Sequence, residues 1–307
     1  MNRTVFISVL LPGLFLLVTG CAGTPPVVES YPAESARAVI VDGVRIHYFD
    51  FHPDATTTPI LWIHGYSGSA FETYYLKDAL GPDRRIIAPD LPGSGYSEKP
   101  VREYTLDYFV EFVGDFVSEL GVSQYVLAGH SMGGLIATTF AAEQPPGLEK
   151  LVLVAPYGLA GEAGVIPEFL ADAGVLVDYG FELHNETLIE LAVRVNVFHD
   201  AGSIPQDLID YTTVATFHTP NAVPALASVT RNVIAREHDP SVLDRIQVPT
   251  LILWGAEDRV LDFRYAAAFN RRIRGSILQA IPDCGHLPHV EKPATAAAIL
   301  NDFLAGP

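Results

Sequence analysis

Short apolar runs closed by glycine or proline recur along this chain. "PILWIHG" (59–65), "RRIIAPDLPGSGYS" (84–97), "SQYVLAGHS" (123–131), "EKLVLVAPYG" (149–158), "VPTLILWGAED" (248–258) and "GSILQAIPDCGH" (275–286) share this form. Continuous apolar runs of this length suit strands buried on both faces. Ahead of them, "AVIVDGVRIHYFDF" (38–51) places two β-rich runs around Asp42-Gly43, which predicts a hairpin. Between the runs the period changes. In 105–120, Leu106, Phe109, Val110, Phe112, Val113, Phe116, Val117 and Leu120 recur at mostly three- and four-residue spacing, the apolar stripe of a helix. Small residues dominate a second helix at 133–144, stopped by Pro145-Pro146, and 262–273 and 292–305 read as two more.

Strand and helix alternate, so the expected fold is α/β, a doubly wound, mostly parallel sheet. The interval 157–239 breaks the rhythm. It is helical in pattern, poor in strand runs and flanked by core strands, which predicts an inserted helical cap over the carboxyl edge of the sheet, where open α/β sheets bind ligands. The core then comprises 38–156 and 240–307.

The N-terminus follows another pattern. After Arg3, residues 5–18 form an apolar run of 14 residues interrupted by Pro12 and Gly13. A spanning helix needs about 20 apolar residues, so 1–20 reads as a secretory signal peptide. Residues 21–37, rich in proline and small polar residues, read as a tether. "Val18-Thr19-Gly20-Cys21" resembles the lipobox of bacterial lipoproteins. That resemblance implies cleavage after Gly20 and acyl chains on Cys21. Ala22 in place of an aspartate implies the outer membrane in a diderm cell. With Cys21 lipidated, Cys284 lacks a partner and no disulfide is expected.

The net charge of −17 repels nucleic-acid phosphates and disfavours electrostatic attachment to anionic lipid. No Cys/His set has metal-ligand spacing, so no metal is expected. The hydrophobic share of 49% supports a sizeable core and excludes global disorder.

The chemistry concentrates in "Gly129-His130-Ser131-Met132-Gly133", a G-x-S-x-G set between an expected strand and an expected helix. Glycines there remove the Cβ atoms that would clash in a sharp turn, and the helix N-terminus favours negative charge. With these features in view, the chain resembles the α/β-hydrolase superfamily, in its Ser-nucleophile lipase and esterase branch, over about residues 38–305. The resemblance implies an eight-stranded sheet and a triad in the order nucleophile, acid, histidine. Ser131 is the implied nucleophile. Asp258, at G-x-x-D spacing from Gly255, is the implied acid in preference to Glu257. His286, in Gly-His ahead of Glu291-Lys292-Pro293, is the implied base, with His289 a neighbour. The implied oxyanion donors are the backbone N–H groups of Met132 and of Tyr66, in "His64-Gly65-Tyr66". "Asp90-Leu91-Pro92-Gly93-Ser94-Gly95" resembles a family loop of architectural role.

The expected activity is hydrolysis of short- to medium-chain acyl esters, with membrane-derived glycerides among the candidates. The alternative is carbon–carbon hydrolysis of ring-cleavage products by the same triad. Relatives of that kind add a cap arginine. "DLIDYTTVATFHTP" (207–220) has none, leaving Arg194 and Arg231 elsewhere in the cap. Serine at the elbow argues against dehalogenase and epoxide hydrolase chemistry, whose family nucleophile is aspartate.

Overall fold

A computed structural model describes residues 31–159, 197–217 and 219–306. The signal peptide, Cys21, Arg194 and the first half of the expected cap lie outside the described residues.

Among the described residues, eight strands form one sheet in the order β1-β2-β4-β3-β5-β6-β7-β8. They are β1 (Ala36–Val41), β2 (Val44–Phe51), β3 (Ile60–Ile63), β4 (Ile86–Pro89), β5 (Tyr125–His130), β6 (Leu148–Val154), β7 (Thr250–Gly255) and β8 (Ile277–Ile281). β1 and β2 form the expected hairpin, turning through Asp42 (φ 45°) and Gly43 (φ 75°), the positive angles that a tight hairpin turn requires. β2 pairs antiparallel with β4, and every later pairing is parallel.

The central strands alternate their side chains between two cores. Leu61, Ile63, Leu127, Ile252 and Trp254 join Phe109, Phe116, Ile136 and Phe140 on one face. Ile60, Trp62, Val126, Ala128, Leu251 and Leu253 join Phe71, Leu76 and Leu300 on the other. Both faces being apolar explains why these strands read as unbroken hydrophobic runs. β8 departs from that expectation. Among the described residues it pairs only with β7, and Ile277 is 48% exposed. Its apolar run lies at the sheet edge, and burial reaches only its carboxyl end at Ile281.

Among the described residues the helices are α1 (Tyr74–Leu80), α2 (Leu106–Glu119), α3 (Met132–Ala142), α4 (Gln206–Phe217), α5 (Ala222–Val229), α6 (Ala266–Arg272), α7 (Pro288–Glu291) and α8 (Pro293–Ala305). Thr105 caps α2, accepting the Tyr108 amide at 3.2 Å, and α2 buries Phe109, Val110, Phe112, Val113 and Phe116. The helix expected at 262–273 splits into a 3₁₀ turn at Phe263–Tyr265 and α6, because Asp262 caps the first turn through the Arg264 amide.

Between β6 and β7, the described part of the insertion is helical: α4, α5 and a π-helical segment at Thr230–Ile234. Side-chain hydrogen bonds join it to the sheet's carboxyl edge. Tyr211 donates to Asp90 Oδ2 (3.2 Å), Tyr66 Oη lies 2.6 Å from Thr230 Oγ1, and Tyr157 donates to the Ile234 carbonyl (2.7 Å). Tyr31, in the segment read as tether, lies 3.1 Å from His47 Nε2 and stacks on Tyr211.

Candidate active site

From β3 the chain crosses to β4 on one side and then returns to β5 on the other. The reversal leaves a crevice beyond the carboxyl ends of β3 and β5, where doubly wound sheets bind ligands. "His64-Gly65-Tyr66" follows β3 and Ser131 follows β5, so topology alone brings these two segments to one place.

Ser131 has φ 52° and ψ −116°, a strained backbone for a residue with a Cβ. The turn is held on every side. The Ser131 amide donates to the Val154 carbonyl (3.0 Å), and the Ser131 carbonyl accepts the amides of Gly134 (2.8 Å), Leu135 (3.2 Å) and Tyr157 (2.9 Å). A Cβ at Gly133 would lie 2.1 Å from the Ile63 carbonyl oxygen, so only glycine lets α3 start this close to β3. Met132 is the first residue of α3, where amides have no acceptor within the helix. Ser131 itself is partly exposed.

Asp258 follows β7, and its carboxylate faces two ways. Oδ1 accepts the amides of Val260 (2.8 Å) and Leu261 (2.9 Å), and Oδ2 lies 2.7 Å from His286 Nδ1. Both residues are buried, at 8% and 5% exposure. Glu257, the neighbouring acid, turns elsewhere and accepts the Cys284 amide at 3.0 Å. Glu291 accepts the Gly285 amide at 2.6 Å and the Asp200 amide at 2.9 Å, tying the histidine loop to the insertion. His286 is brought to the end of β5 through His130, whose Nε2 is 3.0 Å from the His286 carbonyl oxygen. After β3, Gly65 packs on Ser131, since a Cβ there would be 3.2 Å from the Ser131 Cβ. The next residue is Tyr66. Burial pushes its phenol up to about 12, so it stays protonated and hydrogen-bonded to Thr230.

Asp90 is fully buried and organises the loop after β4. It accepts the amides of Ala70 (2.7 Å) and Tyr96 (2.8 Å), and His47 Nδ1 lies 2.8 Å away. Burial alone would raise its carboxyl. The hydrogen bond and charge of His47 overcome this and lower it from 3.8 to about 2. The unfolded chain therefore binds the extra proton first. This part of the stability is complete above about pH 4 and is lost as pH falls toward 2, at a cost of about 2 kcal/mol. Thermal midpoints measured between pH 5 and pH 2 are expected to fall, with a shallower fall in Asp90→Asn.

The family model of the alpha/beta hydrolase fold matches residues 58–293. The chain belongs to that family. This alpha/beta hydrolase is 30% identical over 276 residues to the uncharacterized hydrolase YugF of Bacillus subtilis, covering 87% of this chain and 97% of that protein. It is 28% identical over 292 residues to the 2-hydroxymuconate semialdehyde hydrolase of Pseudomonas sp. (strain CF600), covering 89% and 94%. Among solved structures, a bacterial membrane phospholipase A superposes with a TM-score of 0.76 at 27% identity, covering 88% of this hydrolase and 85% of that chain.

Sequence reasoning missed one group at the site. Glu72, in the 3₁₀ turn Ala70–Thr73, is buried against His130 and His289. It lies in no motif, and its place follows only from how that turn packs on β3 and β5.

Proposed function

We propose that this hydrolase cleaves carboxylic esters, with Ser131 as nucleophile, His286 as general base and Asp258 as the orienting acid. The observation that carries the reading is the buried 2.7 Å contact between Asp258 Oδ2 and His286 Nδ1, beside a serine in a strained strand-to-helix turn. Asp258 keeps a hydrogen on Nδ1 and leaves Nε2 as the base. Nε2 takes the Ser131 proton as Oγ attacks the ester carbonyl. The backbone N–H groups of Met132 and Tyr66 stabilise the tetrahedral oxyanion. The alcohol leaves with the proton from His286, and water then cleaves the acyl-enzyme by the same route. No step calls for a cofactor or a metal.

The matches include a 2-hydroxymuconate semialdehyde hydrolase and a membrane phospholipase A. The ester reading is supported by the stretch 207–220, which carries no arginine for a substrate carboxylate. A panel of esters graded by acyl length, assayed beside 2-hydroxymuconate semialdehyde, tests the choice. Turnover of short- to medium-chain esters is expected. Hydrolysis of the ring-cleavage product alone would reverse it.

We also propose that the chain between Cys21 and Tyr31 tethers the enzyme to the envelope through a lipidated Cys21, with 157–239 acting as the cap; the tether ends short of 37 because Tyr31 packs on His47 and Tyr211 and β1 begins at Ala36. Among the described residues no helix is long and apolar enough to cross a membrane. Cys21→Ser is expected to move the protein from the membrane fraction to the soluble export fraction. Wild-type protein found there unlipidated and at full length would remove the anchor.

A further inference from the structure

Behind Ser131 lies a second acid–histidine arrangement that the mechanism above does not use. Glu72, His130 and His289 are 3%, 4% and 0% exposed. Glu72 Oε2 is 3.5 Å from His130 Nδ1, and Glu72 Oε1 is 3.5 Å from His289 Nε2. Trp62 Nε1 donates to Oε1 at 3.0 Å. The His130 ring also packs on the rings of His286 and His289, with centroids 4.8 and 4.9 Å away.

The protons on His130 can be read from its partners. Nε2 is 3.0 Å from the His286 carbonyl oxygen, which only accepts, so Nε2 carries a hydrogen. Nδ1 faces the Glu72 carboxylate, and a bare lone pair there would be repelled. A carboxylic acid donating to a neutral ring is the other arrangement, but Trp62 and His289 both favour the ionised carboxylate. Burial would raise the Glu72 carboxyl, and His130 and His289 instead hold it well below its ordinary value. Burial lowers His289, which suits a neutral ring. The three donor atoms lie within 4.8 Å of one another, close enough for a cation. A closed zinc site takes four ligands, however, and the described residues supply three. A proton on His130 meets the same need with the donors present.

We propose that Glu72 and His130 form a buried carboxylate–imidazolium pair that acts as a positioning unit for the active site. The proposal rests on the reading of Ser131, Asp258 and His286 as the triad. His130 touches three parts of that machinery without reaching substrate. It is covalently next to Ser131. It clasps the His286 loop through Nε2–H. It also supports the donor loop, because a Cβ at Gly65 would lie 2.9 Å from His130 Nδ1. Gly65 is therefore needed for the ring to fit beneath Tyr66. A fixed positive charge at this junction further favours the oxyanion formed above Ser131. The titratable groups facing the ring are Glu72 from the 3₁₀ turn, His289 from α7 and His286, with Asp258 behind it, from the loops after β8 and β7. His64 turns to the backbone instead, with Nδ1 2.8 Å from the Gly65 carbonyl and Nε2 accepting the Leu91 amide at 3.0 Å.

The test combines side-chain ¹⁵N–¹H NMR with kinetics on the full chain. In the resting wild-type enzyme at pH 7.5, the histidine whose signals vanish in His130→Gln is expected to show both ring nitrogens protonated. In Glu72→Gln the same ring is expected to lose one hydrogen. Both variants are expected to lower kcat by about 10- to 100-fold with KM changed less than threefold, since each perturbs groups that stabilise the transition state. His130→Gln, which keeps a donor for the His286 carbonyl, is expected to retain more activity than His130→Leu. A neutral His130 ring in the wild type overturns the proposal, as does an unchanged kcat in folded Glu72→Gln. Where His130→Gln does not fold, sequence-specific assignment of the wild-type His130 ring supplies the same reading. It is also independent of the triad, whose own failure would show as fluorophosphonate labelling away from Ser131.

Discussion

Ser131→Ala is expected to lower kcat on a short-chain chromogenic ester by about 10⁴- to 10⁶-fold, with the fold intact. The size follows from the chemistry. Without Oγ there is no acyl-enzyme, and His286 and Asp258 have no proton to move. What remains is substrate binding and the oxyanion donors, which act on a water attacking without a base poised for it. Folding should survive, because the turn is held by backbone hydrogen bonds, from the Ser131 amide to Val154 and from the Gly134, Leu135 and Tyr157 amides to the Ser131 carbonyl, none of which uses the hydroxyl. A thermal midpoint close to that of the wild type, together with the lost rate, is the expected pair of readings.

Asp258→Asn is expected to lower kcat by about 10⁴-fold and to leave KM nearly unchanged. The Asp258 surroundings give the reason. Oδ1 is fixed by two amide donors, from Val260 and Leu261. An asparagine would keep its oxygen there and turn its NH₂ group toward His286 Nδ1. That group donates, so Nδ1 would have to accept and the ring hydrogen would move to Nε2. The base then presents a hydrogen where it needs a lone pair. Initial rates over a range of ester concentration separate the two constants. A variant with kcat near wild type would show that the acid is another residue.

Much of this was legible in the sequence because the relevant interactions are local. The hairpin at Asp42-Gly43 and the apolar stripe of α2 each lie within a few residues of chain. The segments that converge on the crevice were also readable, since each ends an apolar run. The exposed face of β8 was not readable. Its apolar run resembles that of a central strand, and only its place at the edge of the sheet determines its burial. Glu72 was hidden for a related reason. It lies 58 residues before His130, in a turn with no motif, and the contact exists because β3 and β5 are neighbours. His130 was visible only as the variable position of G-x-S-x-G. Asp90 was recognised as architectural, but its partners His47 and Tyr211 come from β2 and from the insertion.

The central claim is that Ser131 carries the acyl group. Treating the active enzyme with a fluorophosphonate, then measuring intact mass and mapping the adduct by peptide mass spectrometry, tests it most directly. The expected result is one adduct per chain, on the Ser131 side chain, with activity lost in proportion to labelling. An adduct on another residue, or full ester turnover by enzyme that takes no label, would contradict it.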